Sequence, residues 1–112
     1  MVLLFTGYVP PTGPEELPQY PYLSGDAAEY LTSIPVRAYA VGTWSVDSPA
    51  RDDRPRGWPV VPSAFLLKGI PVIEQLMNVE SLLDEEQAVF VGFPLRIEDG
   101  NGSPIRAAAL IY

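Results

Sequence analysis

Leu66-Leu67-Lys68-Gly69-Ile70-Pro71-Val72-Ile73-Glu74-Gln75-Leu76 joins the end of one element to the start of the next. Before it, Ser63-Ala64-Phe65-Leu66-Leu67-Lys68 reads as a short helix, with Ser63 as cap and Gly69 at its carboxyl end. After it, Pro71-Val72-Ile73-Glu74 reads as extended chain. Leucine and isoleucine here pack, glycine turns and proline stiffens, but Glu74 has no such plain use. Burying an unpaired carboxylate is strongly unfavourable, so Glu74 either points to solvent or is buried toward a partner. It is the foremost candidate for chemistry in the chain.

The rest of the chain supplies what this run packs against. Val2-Leu3-Leu4-Phe5, closed by Thr6-Gly7, reads as a buried strand of the interior type. A chain that opens directly into such a strand is expected to lack a preceding portion. Residues 8–23 are rich in proline and tyrosine without a period, and read as a loop, a lid or a docking arm. Ser24 to Ile34 is the clearest helix. Ser24 caps it, Asp26 and Glu29 complement its positive end, and Ala27, Tyr30, Leu31 and Ile34 share a face, with Pro35 as the stop. Val36 to Val41 alternates as a strand, and the order strand, loop, helix, strand predicts a crossover and a parallel pair.

Thr43-Trp44-Ser45-Val46-Asp47 leaves the carboxyl end of that strand, where open α/β sheets hold ligands. Trp44 and Asp47 are therefore substrate-side or structural candidates, and Asp47 ahead of Ser48-Pro49 also suits a turn cap. Residues 48–62, with alternating charges and Trp58, read as an exposed loop. Asn78 is placed as the cap of a short helix over Val79–Leu83, followed by a solvated acidic run, Asp84-Glu85-Glu86. Ala88 to Ile97 and Pro104 to Tyr112 read as two strands of a hairpin, joined through Asp99-Gly100-Asn101-Gly102. Pro94 cannot donate to a ladder, which puts its strand at an edge or on a bulge.

Composition narrows the function. The 112 residues are expected to form a single domain, 47% hydrophobic, with 13 prolines and 9 glycines concentrated in the two irregular segments. A net charge of −7, with Arg51, Arg54 and Arg56 interleaved with Asp52 and Asp53, argues against nucleic acid. No apolar run reaches a membrane span, and the lack of cysteine fits a cytoplasmic setting. The chain contains no histidine and no cysteine. The commonest general base and the usual zinc ligands are thus both missing, which leaves carboxylate chemistry or ligands lent by another chain.

Five segments, in order, carry a resemblance. They are Leu3-Leu4-Phe5-Thr6-Gly7-Tyr8, Leu23-Ser24-Gly25-Asp26-Ala27-Ala28-Glu29-Tyr30-Leu31, Trp44-Ser45-Val46-Asp47-Ser48-Pro49, Leu66 to Leu76, and Asp99-Gly100-Asn101-Gly102-Ser103-Pro104-Ile105-Arg106-Ala107. Together they resemble the carboxyl-terminal half of the cyclase-like metal-dependent hydrolases, which include bacterial kynurenine formamidase (arylformamidase) and isatin hydrolase. The resemblance implies a swivelling β/β/α fold, here truncated, with a mixed sheet and short flanking helices, commonly dimeric or larger. It implies zinc or manganese and hydrolysis of a formamide or similar amide. The family's His-x-Gly-Thr-His-x-Asp segment would lie upstream of Met1. A further family histidine falls near Pro62-Ser63, where this chain departs from the pattern. Glu74 stands at the family's glutamate position, as catalytic group or metal ligand.

The resemblance therefore implies an arylformamidase-like chain that is inactive in isolation and holds no cofactor alone. Zinc or manganese would bind only if a histidine-bearing amino-terminal half completed the site. The alternative is a non-catalytic binding or oligomerisation module derived from the same fold. Sheet edges left open by a missing half favour self-association, so at least a dimer is expected.

Overall fold

The structure is a computed structural model that describes residues 1–11, 19–48 and 60–112, with the backbone alone described at residue 60. The expected exposed loop with Trp58 and the arginines at 51, 54 and 56 falls in 49–59 and lies outside the described residues. So does most of the proline-rich arm, residues 12–18. The fold is α/β, and its backbone forms two compact units, Met1–Val79 and Glu80–Tyr112.

The first unit is built on a parallel sheet. Strands β1 (Val2–Leu4), β2 (Tyr39–Val41) and β3 (Val72–Ile73) lie in the order β1-β2-β3, with Val2 opposite Tyr39 and Tyr39 opposite Val72. The crossover read from the sequence is present: helix α1 (Gly25–Ser33) connects β1 to its parallel neighbour β2. Only β2 has a neighbour on each side, and all three of its residues are buried. β1, expected to be interior, is instead an edge strand, with Leu4 and Phe5 more than a third exposed. A short apolar run marks a strand without fixing how many neighbours it has.

Two helices close over this sheet. Ser24 caps α1 as expected, its hydroxyl accepting from the Ala27 amide at 3.2 Å. The helix buries Ala28, with Leu31 half-buried, while Tyr30 turns to solvent at 65% exposure. α2 spans Val60–Leu66 and so begins before the expected cap; Ser63 lies inside it. Pro62 does not block this start, because the first amides of a helix have no intrahelical acceptor to lose.

The far end of α2 follows from the glycine. Gly69 takes φ +69°, its amide donates to the Leu66 carbonyl (2.9 Å), and the Ile70 amide reaches back to Phe65 (3.0 Å). This paired bonding satisfies the last helical carbonyls and returns Ile70 to the core beside Phe65. At the centre of that core, the rings of Tyr39 and Phe65 stack at 5.0 Å and 19°. Ala28, Val41, Val46, Val61 and Ile70 surround them. Lys68 ties the two helices together from outside, its Nζ donating to the Thr32 carbonyl and hydroxyl at 3.1 and 3.0 Å.

Val79–Leu82 is a single 3₁₀ turn in place of the expected helix. Asn78 takes φ +60°, outside the extended conformation of a capping residue. In the second unit, β4 (Ala88–Pro94) and β5 (Ile105–Ile111) pair antiparallel, from Ala88 opposite Ile111 to Pro94 opposite Ile105. The hairpin is as expected, and Pro94 ends its strand. Ser103 secures the connection, its Oγ accepting from the Leu95 amide at 2.7 Å. Asp84, Glu85 and Glu86 are exposed.

Candidate functional site

Parallel strands bring their carboxyl ends to one edge, and in open α/β sheets that edge is where loops meet ligands. In this chain Thr6 follows β1, Gly42 to Ser48 follow β2, and Glu74 follows β3. Backbone bonds hold the second and third of these segments together. The Leu76 amide donates to Val41 (3.1 Å) and the Gln75 amide to Thr43 (3.0 Å). A Cβ on Gly42 would lie 2.9 Å from the Leu76 carbonyl oxygen, so this approach requires a glycine. Gln75 turns the chain at φ +57°, a conformation that costs a non-glycine residue about 1 kcal/mol.

Glu74 is thereby presented to the loop after β2. Its Oε1 accepts from the Val46 amide at 2.9 Å, across 28 positions of sequence. The side chain as a whole remains exposed. Of the two sequence alternatives, the carboxylate is at the surface, with one oxygen fixed on the backbone. Val46 itself is buried and its carbonyl accepts from the Leu23 amide at 3.0 Å, so Glu74 is anchored to the core through that residue.

Asp47 and Trp44 divide differently. Asp47 is 4% exposed, and its Oδ1 accepts from the Val61 amide (3.2 Å) in the first turn of α2. Its capping role is thus on a helix 14 residues further on, rather than on the local turn. Trp44 stands outward, 46% exposed. Thr43 is fully buried, its hydroxyl donating to the Ser45 carbonyl at 2.9 Å. Ser63, near the position where the resembling family has histidine, is in the body of α2 between the buried Val61 and Phe65.

Below this edge is a small cavity of about 50 Å³, lined among others by Leu4, Thr6, Leu23, Tyr39, Thr43 and Val46. It has room for about one water and is mostly apolar. Burial pushes the Tyr39 phenol above its ordinary value of 10.0, so Tyr39 is a neutral group at neutral pH. Nothing in the local pattern around Val36–Val41 marks Tyr39 as central; its only sequence signal is an aromatic at an inward strand position.

Among the described residues, no three His, Cys, Asp or Glu side chains converge as a metal site requires. Glu74, with one oxygen already accepting an amide, does not amount to a zinc or manganese site. No described helix is long and apolar enough to cross a membrane. Compared with protein-family models, curated proteins and solved structures, the chain matches none.

Proposed function

We propose that this chain is a cyclase-like protein that does not hydrolyse amides alone, and that it contributes Glu74 to a site completed by a histidine-bearing partner chain. The observation that carries this reading is the Glu74–Val46 bond. It fixes one carboxylate at the carboxyl edge of a parallel sheet, at the position where the resembling hydrolases have a glutamate. The residues present do not fit a metal by themselves, and no reaction step is assigned to one here.

The test is metal content and formamide hydrolysis, measured on the chain alone and then mixed with the amino-terminal half of a cyclase-like hydrolase. Zinc or manganese uptake and turnover are expected only in the mixture, and Glu74→Gln should abolish both while leaving the fold intact. Stoichiometric metal on the isolated chain would defeat the proposal.

A second reading, a binding or oligomerisation module of the same descent, is favoured by the hairpin. Val89, Phe93, Leu110 and Ile111 are each about half exposed or more. Under that reading no mixture gains metal or activity, and Glu74→Gln leaves assembly unchanged.

A further inference from the structure

We infer that β5 is a self-pairing edge: two copies of this chain join β5 to β5 in antiparallel register, so that two hairpins become one four-stranded sheet. The inference stands on the hairpin alone, whichever reading of function holds.

The two edges of this sheet are not equivalent. The sheet has only β4 and β5, so each strand has one edge without a strand beside it. β4 is a poor template: Pro94 has no amide hydrogen, and at Gly92 the space a Cβ would need is filled by the Phe90 ring at 2.8 Å. β5, Ile105-Arg106-Ala107-Ala108-Ala109-Leu110-Ile111, contains no proline, glycine or lysine and runs seven residues without a bulge. Open edges are normally blunted by such residues or by bulges, and β5 has none of them. A lone two-stranded hairpin is also marginal in water, and further strands stabilise it.

The occupant follows from register and charge. An antiparallel pair centred on Ala108 sets Ile105 opposite Ile111 and Ala107 opposite Ala109. It sets Arg106 opposite Leu110, so no two like charges face one another. The small alanines meet at the two-fold axis, the commonest symmetry of homodimers. Arg106 then lies diagonal to Tyr112 of the second copy, within reach of a long side chain. In each hairpin Tyr112 donates to Gln87 Oε1 (3.1 Å) and, with Asp84, Glu85 and Glu86, lines an open depression of about 390 Å³. The arginine of each copy thus meets the acidic end of the other, twice per dimer. An unrelated extended segment could use the same backbone edge, but it would not share this reciprocal charge match.

Sedimentation of the full chain at about 100 µM, enough to saturate an interface of micromolar Kd, should show a dimer. Arg106→Glu should weaken it roughly tenfold, since two contacts are reversed by symmetry, and adding Glu86→Arg should restore it. Ala108→Lys, at an exposed position that leaves the monomer fold unstrained, sets two cations opposite each other and should also shift the protein toward monomer. A monomer throughout, or a dimer indifferent to Arg106→Glu and Ala108→Lys, would overturn the inference.

Discussion

The parallel-sheet unit and the hairpin are stabilised in different ways. In the first unit β2 is buried along its whole length, and Tyr39, Phe65, Val46 and Val61 are all less than 2% exposed. In the second, no residue from Glu80 to Tyr112 is buried, although β4 and β5 are each seven residues long. Strand length is therefore a poor guide to stability in this chain. The two-residue strand β3 contributes to a core, whereas the seven-residue strands contribute a backbone ladder and a surface.

The contrast breaks first at Phe65. Removing its ring empties a fully buried site stacked on Tyr39, and Phe65→Ala should cost about 3–5 kcal/mol in denaturant unfolding of the first unit. Asp47→Ala removes the carboxylate from the Val61 amide inside the same core, for an expected loss of about 1–2 kcal/mol. Tyr39 sharpens the comparison by pH. Its phenol ionises at a higher pH folded than unfolded, so its contribution is complete below pH 10.0 and is lost as pH rises through the folded value. The first unit should therefore weaken in alkali, and Tyr39→Phe should remove that dependence. Phe93→Ser, at a ring 77% exposed on the hairpin, should change stability by no more than about 0.5 kcal/mol. A large loss there would mean that the hairpin has a core after all.

What could be read from the sequence was mainly local. Ser24 before Asp26, Gly69 after an apolar run, and the turn residues between Ile97 and Pro104 each mark an end, and each end lies where the residues put it. The parallel crossover followed from element order. The start of α2 was missed because Pro62 reads as a helix stop, although in a first turn it removes nothing. Tyr30 and Leu31 both fit the apolar face of α1 by spacing, and only the packed structure distinguishes the exposed Tyr30 from the half-buried Leu31. At the candidate site, Glu74 stood out as a carboxylate in an apolar run. Its partner, an amide 28 positions away, leaves no trace in composition or period. Asp47 was read as a turn cap or a ligand-side group, and its role on α2 depends on a contact that only the fold creates.

The Asp47–Val61 bond also bears on how this chain tolerates insertions. It fastens the exit of β2 to the entry of α2 directly, so the two ends of residues 49–59 are held together whatever their number. Doubling such a closed span costs only about 0.6 kcal/mol of closure entropy. Natural variants, or an inserted peptide tag, should therefore vary in length at this span with little effect on the core, provided the aspartate stays.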